Sequence, residues 1–183
     1  PALLAYNGQA YKHLRADSLS DGALEYAQKH LWITCFLYGL LRPMDGIVPY
    51  RMEHCVTLEA TSNKPINQFW KDRLTDVLIG SVKADDGTLL HLSTEEYEHL
   101  FDWKRVCKEV TVIQPLFYVR QKDGRLKMQA VWAKSCRGAM VRFILNNRSV
   151  THEELSAFSY EGFEFAPQLG DENNPHFVRE NVK

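Results

Sequence analysis

The spacing of hydrophobic residues along the chain predicts three helices and one hairpin. Apolar residues recur every three or four positions from Leu24 to Leu41, which predicts a helix over 20–41 that Pro43 ends. The same spacing predicts helices over 65–83 and 135–147. The Asp-Gly pair at 123–124 is a turn signal between two β-patterned segments, 110–120 and 125–134. We therefore expect a hairpin there.

Weaker patterns complete the prediction. Alternation of polar and apolar residues predicts a strand over 50–58, and short strands are expected at 89–92 and 162–166. Thr94 and Thr151 have the sequence context of helix N-caps, for helices that reach about Trp103 and Phe158. Helices and strands alternate without a regular βαβ rhythm, which predicts an α+β (mixed α/β) fold. We expect one domain over residues 1–166 and a flexible tail over 167–183.

Composition restricts the class of protein. The 183 residues include 22 Lys and Arg against 23 Asp and Glu, so the formal charge is −1 and no global basic field attracts nucleic acid or membrane. Any such binding needs a local patch. The longest apolar runs are too short for a membrane span, and no secretory signal is visible. The four cysteines are widely spaced, which indicates reduced thiols and a cytoplasmic protein.

The first candidate site is the loop that follows Leu41. Arg42 and Arg51 can bind phosphate or carboxylate through their planar guanidinium groups. Asp45 and Glu53 can act as acid or base, or can orient the arginines. Alternatively, Asp45 and Arg51 form an internal ion pair that holds the loop, and spacing alone favours this structural interpretation.

The second candidate site is a basic stripe on the predicted helix over 135–147. At about 100° per residue, Lys134, Arg137 and Arg148 fall on one side of the helix, away from its apolar residues. Lys134 and Arg137 lie at the predicted helix N-terminus, where backbone N–H groups also attract anions. The stripe is equally well explained as a solvated face with Arg148 near the helix C-terminus.

Other chemistry has little support in the sequence. The seven histidines never occur at metal-ligand spacing, and phosphate-binding glycine motifs are missing, so we expect no metal and no cofactor. Cys136 beside Lys134 and Arg137 could have a lowered pKa and react with peroxide. A buried, inert cysteine is the alternative.

Seven segments in a fixed order resemble a known family. They include Tyr38–Asp45, Pro49–Glu53, Gln68–Trp70, Glu96-Tyr97, Ala133–Ile144, Asn147-Arg148 and Glu161–Phe163. Together they resemble the YaaA peroxide-stress-response family of bacteria, and the similarity runs from Leu4 to about Phe165. Chains of that family carry several dozen further residues before the point that matches Pro1, including a helix-hairpin-helix element. We therefore expect that this chain lacks part of the family fold at its N-terminus.

The resemblance implies a cytoplasmic protein of the hydrogen peroxide response. Members of the family limit intracellular free iron, protect DNA and protein, and are described as binding DNA in a positively charged cleft. The implied partner is double-stranded DNA, bound without sequence specificity by the full-length protein, and no membrane is implied. The basic residues expected to line one common cleft are Arg42, Arg51, Lys134, Arg137 and Arg142.

Two functional hypotheses follow. The first is a nucleic-acid-binding stress protein whose basic residues contact phosphates, with affinity that falls steeply with salt. The second is an enzyme acting on a nucleotide or damaged base, with the arginines holding phosphate. Its candidate acids and bases are Asp45, Glu53 and Glu161.

Overall fold

A computed structural model describes residues 1–48, 50, 52, 56–61 and 63–180 of the chain. Within these residues the α-helices are α1 Ala2–Ala5, α2 Gln9–Leu14, α3 Asp21–His30, α4 Ile66–Lys83, α5 Trp103–Glu109, α6 Ala130–Asn147 and α7 His152–Ser156. The strands are β1 Ile33–Cys35, β2 Gly39–Leu41, β3 Thr88–Leu90, β4 Thr111–Ile113, β5 Leu116–Arg120, β6 Leu126–Lys127, β7 Ser159–Tyr160, β8 Phe163–Gly170 and β9 Pro175–Glu180. Short 3-10 helices lie at Ala16–Ser18, Glu59–Thr61 and Glu95–Leu100.

The chain divides into two compact units. The first comprises Pro1–Ala5, Leu31–Leu89 and Ser93–Val112; the second comprises Tyr6–His30, Leu90–Leu92 and Ile113–Lys183. Both units contain helices and strands. The α+β class predicted from the sequence is therefore confirmed.

The second unit is built on a five-stranded sheet with the order β6-β5-β9-β8-β7. Strands β5 and β9 pair in parallel and place Phe117 opposite Phe177. Both rings are buried, and they pack with Phe163 and with Cys136 and Met140 of α6 in one hydrophobic core. Because side chains alternate along a strand, one face of the sheet supplies this core.

The C-terminal residues take part in this sheet, which the sequence analysis missed. Strand β8 continues to Gly170, and β9 lies between β5 and β8. The prediction of a flexible tail from residue 167 is therefore wrong for residues 167–180. The turn-forming residues that suggested a frayed end form the β8–β9 connection, where Asp171 Oδ1 accepts the backbone N–H groups of Asn173 and Asn174.

The helix predicted over 20–41 ends at His30, and the residues from Leu31 onward belong to the first unit. The residues that follow form the antiparallel pair β1 and β2, with Ile33 opposite Leu41. Gly39 has a φ of +78°, a conformation that favours glycine. The segment around Ile33 and Thr34 is rich in β-branched and aromatic residues, which prefer strands. Its apolar residues nevertheless continue the helical spacing, and for this reason the sequence analysis extended the predicted helix to residue 41.

Helix α4 forms the centre of the first unit. It matches the predicted helix over 65–83 and buries Leu74, Leu78, Ile79 and Val82 in a second hydrophobic core. Helix α5, which the sequence analysis did not predict, also packs against it. The predictive signal for α5 was Asp102, whose side chain caps the helix by accepting the N–H of Arg105 at 3.2 Å. The helix predicted from Thr94 is the 3-10 helix Glu95–Leu100.

Three shorter predictions have different outcomes. The hairpin is confirmed as β5 and β6, with Gly124 at φ +82°, although β6 is only two residues long. The capped helix is confirmed as α7, in which Thr151 and Glu154 form a capping box. Four of the nine residues of the strand predicted over 50–58 lie outside the described residues, and Thr57 forms an isolated bridge with Pro65.

Candidate nucleic-acid interface

Helix α6 begins five residues earlier than the sequence predicts. It spans Ala130–Asn147, and its N-cap residue, Gln129, makes no side-chain capping bond. Lys134 and Arg137 therefore lie beyond the first turn, where backbone N–H groups are bonded within the helix. The predicted anion site at a helix N-terminus is wrong for these two residues. The helix starts early because Ala133 shares a buried stripe with Cys136 and Met140.

The faces of α6 have different surroundings. One face packs into the core of the second unit through Ala133, Cys136, Met140 and Ile144. A second face packs against α2 so closely that a Cβ on Gly138 would overlap the backbone of Ala10. Lys134 and Arg137 lie on a third part of the helix, about 60° apart around its axis. This third part is the basic face of α6.

Arg137 is half-buried, and its guanidinium group makes no hydrogen bond or ion pair within the described part of the chain. Burial lowers the pKa of its guanidinium group. The nearby imidazole of His91 is buried, and burial, followed by the positive charge of Arg137, lowers the pKa of His91 to about 4. The local charge at neutral pH is thus one positive guanidinium beside a neutral imidazole.

Lys134 adds a second cation to the basic face. Its side chain is exposed, and the described residues provide it with no ion pair. Two unpaired cations on adjacent turns suit neighbouring oxygens of a phosphate backbone. Lys134 and Arg137 are thus two cationic side chains of α6 without a hydrogen-bonding or ionic partner among the described residues.

Arg142 has a different role. Its Nη1 donates to the carbonyl oxygens of Leu14 at 3.1 Å and Arg15 at 2.8 Å, and to Ser18 Oγ at 3.0 Å. These carbonyl groups lie at the C-terminal end of α2, where helices leave acceptors unbonded. The guanidinium group caps α2 and holds it against α6. This geometry favours a structural role over the predicted phosphate contact.

Arg42 and Asp45 lie in one turn that follows β2. The Arg42 guanidinium stacks over the Trp32 ring at 3.4 Å, and its Nη1 donates to the carbonyl of Leu31 at 3.3 Å. Burial lowers the pKa of Arg42, although Asp45 opposes this effect. The Asp45 carboxylate accepts the backbone N–H of Arg42 at 2.8 Å. Asp45 thus stabilises the turn through the backbone N–H of Arg42, whereas the structural interpretation named Arg51 as its partner.

Two residues of the predicted loop site, Arg51 and Glu53, lie outside the described residues. The expected ion pair between Asp45 and Arg51 therefore stays a prediction. The turn of Arg42 belongs to the first unit and α6 to the second, so the predicted common cleft also stays a prediction.

Glu161 lies in the tight turn between β7 and β8. Glu161 and Gly162 have φ values of +49° and +78°, as expected for a two-residue hairpin turn. The carboxylate is exposed and makes no hydrogen bond to the described residues. No described residue orients it as an acid or base.

The sequence analysis missed a chain of polar side chains between α2, α6 and β7. Gln9 Nε2 donates to Ser135 Oγ at 2.9 Å and lies 3.0 Å from His13 Nε2. His13 Nδ1 in turn lies 2.5 Å from the Tyr160 hydroxyl. These residues come from three distant parts of the sequence, and no motif connects them.

Cys136 is buried in the core of the second unit. Burial raises the pKa of its thiol to about 12, and the opposing effect of Arg179 is smaller. A thiol with a raised pKa is rarely a thiolate and reacts slowly with peroxide. The hypothesis of a peroxide-reactive Cys136 is wrong in this environment.

The described residues contain neither a cluster suited to a metal ion nor a helix suited to a membrane span. No group of three or more His, Cys, Asp or Glu side chains within them could hold a metal ion. No described helix has both the length and the apolar character needed to cross a membrane.

Comparisons with known proteins place this geometry in context. The profile of a family described as peroxide stress protein YaaA matches residues 1–169. A UPF0246 protein of Bacteroides thetaiotaomicron is 46% identical over 178 residues, which cover 97% of this chain and 69% of the relative. A UPF0246 protein of Porphyromonas gingivalis is 47% identical over 98% of this chain and 70% of its own length. One from Legionella pneumophila is 37% identical, with coverage of 98% and 69%.

Proposed function

Because this chain belongs to the family of peroxide stress protein YaaA, we propose that it protects DNA during peroxide stress by binding the phosphate backbone through Lys134 and Arg137. Membership of the family supports a role in the response to peroxide stress. The DNA-binding step is our proposal, and α6 supplies its residues.

The observation that carries the proposal is the unpaired Arg137. A half-buried guanidinium group has lost part of its hydration, and this burial lowers its pKa. No carboxylate among the described residues pairs with the group. A phosphate group would supply the missing negative charge and can accept two parallel N–H bonds. Lys134 then contacts a neighbouring phosphate as a point charge.

The DNA form that fits is a duplex bound without sequence specificity. Every Phe, Trp and Tyr of the chain lies among the described residues, and each is buried or half-buried. Proteins that hold single strands stack bases on accessible aromatic rings. Backbone contacts by exposed or half-exposed cations are instead typical of non-specific duplex binding.

The alternative function, an enzyme acting on a nucleotide or damaged base, requires a positioned acid or base. Asp45 uses its carboxylate to hold a turn, and Glu161 is exposed. Glu53 lies outside the described residues. No specific observation favours the enzyme, so binding is the function we propose.

Two broader expectations belong to the same proposal. We place the protein in the cytoplasm, and we propose that it limits free iron in cells under peroxide stress. The second point is tested by measuring chelatable iron in peroxide-treated cells with and without the protein.

The direct test of DNA binding is a salt titration with a labelled duplex, read by fluorescence anisotropy. We expect affinity to fall as salt rises, and Lys134→Ala to reduce the slope of log affinity against log salt by about one. Lys122→Ala is the matched control, because Lys122 is also exposed and lies in the β5–β6 turn. The proposal fails if the two variants change the slope equally or if the protein does not bind the duplex.

A further inference from the structure

The second unit carries a further exposed cation close to the start of α6. Lys127 is the last residue of β6 and comes three positions before the first residue of α6. Its side chain is exposed, and the described part of the chain offers it no ion pair or hydrogen bond. From Leu126 to Arg137 the sequence contains three cationic residues and no acidic one, so this stretch is positive although the whole chain has a charge of −1.

The register of the hairpin places Lys127 on the side of the sheet that α6 covers. Lys127 pairs directly with Val119, and directly paired residues point to the same face. Val119 is buried in the core to which α6 contributes Ala133 and Met140. Lys127 therefore points to the side on which α6 lies. Because β6 is an edge strand of this sheet, the side chain remains exposed there.

A neighbouring cation of the same hairpin has the opposite arrangement. Arg120 pairs with Leu126, one position before Lys127, so its side chain points to the other face of the sheet. Its Nε donates to Glu180 Oε1 at 3.0 Å, and this carboxylate offsets its charge. Lys127 thus differs from Arg120 in two ways that favour an anionic partner: it lies on the α6 side, and its charge is not offset by a described carboxylate.

The separation of Lys127 from Lys134 is short enough for one duplex to reach both. Three extended residues span at most about 11 Å between Cα atoms. Four residues of helix, from Ala130 to Lys134, add about 6 Å. The two Cα atoms are therefore no more than about 17 Å apart, which is the length of about five base pairs at a rise of about 3.4 Å each.

We propose that the DNA contact extends from α6 onto the edge strand β6, where Lys127 binds a phosphate of the same duplex as Lys134 and Arg137. This inference rests on the proposed DNA-binding function and adds a residue from outside the helix. A lysine on an edge strand can also have a protective role, because its charge discourages pairing with a strand of another chain. The experiment distinguishes the two roles.

The test is a salt titration of duplex binding by Lys127→Ala, read by fluorescence anisotropy. We expect the slope of log affinity against log salt to fall by about one, because one phosphate contact is lost. The loss of affinity should then be about threefold larger at about 50 mM salt than at about 200 mM. Lys127→Arg keeps the charge and should keep the slope. Lys122→Ala, at an exposed position of the same hairpin, is the matched control and should also keep it.

The variant Lys127→Glu separates phosphate binding from protection of the edge strand. Glutamate keeps a charge on the edge but repels phosphate, so we expect weaker duplex binding than for Lys127→Ala. Light scattering of the free protein should stay at the level of the unmodified chain. Duplex binding by Lys127→Glu equal to that of the unmodified chain would assign Lys127 to edge protection and overturn the inference. Thermal unfolding confirms that each variant is folded.

Lys134→Ala, measured beside Lys127→Ala, distinguishes a failure of this inference from a failure of the proposed function. A reduced slope in Lys134→Ala with an unchanged slope in Lys127→Ala overturns the inference and leaves the DNA contact on α6. An equal change in Lys127→Ala and Lys122→Ala also overturns it, because the duplex would then respond to any cation of the hairpin. If the unmodified chain does not bind the duplex, both the inference and the proposed function are wrong.

Discussion

Arg137 and Arg142 lie on the same helix and have opposite surroundings. Arg142 donates to carbonyl and hydroxyl oxygens at the end of α2, so its hydrogen-bonding capacity is used within the protein. The guanidinium group of Arg137 has no hydrogen bond or ion pair to another described residue, and burial lowers its pKa. The difference shows that the role of an arginine on an amphipathic helix depends on whether neighbouring residues offer oxygen atoms to accept its hydrogen bonds. Arg142 holds the fold, and we propose that Arg137 binds phosphate.

The largest expected effect concerns the helix face that contacts α2. Gly138→Leu would drive a side chain into the backbone of Ala10, and we expect a loss of more than about 3 kcal/mol in the free energy of unfolding. Gly80→Ala in α4 is the control, because a Cβ there meets nothing within 4 Å. Replacing that helical glycine should stabilise the protein by about 1 kcal/mol. Chemical denaturation measures both, and a stable Gly138→Leu variant contradicts the close packing of α2 on α6.

The next effect is a dependence of stability on pH that arises beside Arg137. Burial and Arg137 lower the pKa of His91 from 6.5 to about 4, so the unfolded chain binds a proton more readily than the folded chain. The stabilising contribution is complete above pH 6.5 and is lost as the pH falls toward 4. Its size is about 3 kcal/mol, at 1.4 kcal/mol per pKa unit.

The variant His91→Asn checks this assignment. Denaturation of this variant at a series of pH values should show a flatter stability profile between pH 6.5 and 4 than the unmodified chain. His152→Gln, at an exposed position, should leave the profile unchanged. A flattened profile in the His152 variant alone would show that His91 is not the titrating group.

Removal of the Arg142 guanidinium group tests the structural half of the comparison. Arg142→Gln loses hydrogen bonds from a charged donor to the carbonyl oxygens of Leu14 and Arg15. We expect the free energy of unfolding to fall by about 2 kcal/mol, measured by denaturation in urea. An unchanged stability would mean that Arg142 does not hold α2.

The smallest effect has the opposite sign. Arg137→Met removes a half-buried charge and keeps most of the apolar stem of the side chain. Because the charge has no carboxylate partner among the described residues, we expect the free energy of unfolding to rise by about 1 kcal/mol. Thermal and urea unfolding measure the change. A loss of stability similar to that of Arg142→Gln would show that Arg137 also stabilises the fold, which contradicts the comparison.

The sequence predicted local structure well where one signal dominated. Helix α4, the hairpin at Gly124 and the capping box at Thr151 each follow from short-range patterns. The sequence failed where two patterns coexisted, as after His30, where apolar residues in helical spacing are also strand-forming residues. It also failed for β9, whose position between β5 and β8 depends on long-range pairing.

The candidate site was only partly predictable for a related reason. Residue type and helical position correctly grouped Lys134 with Arg137. They could not show that Arg142 faces the end of α2, because that contact joins residues 128 positions apart in the sequence. The hydrogen-bonded chain from Gln9 to Tyr160 is equally long-range. The groups that surround an arginine in the folded chain decide whether it binds a ligand or stabilises the fold, and the sequence alone does not show those groups.

The most direct test of the central claim is the salt dependence of duplex binding by Arg137→Gln and Arg142→Gln, measured side by side under conditions in which both variants are folded. Both substitutions remove one positive charge from α6. We predict that Arg137→Gln lowers affinity and reduces the slope of log affinity against log salt by about one, whereas Arg142→Gln leaves the slope unchanged. Equal slopes for the two variants, or a reduced slope only in Arg142→Gln, would contradict the assignment of phosphate binding to Arg137.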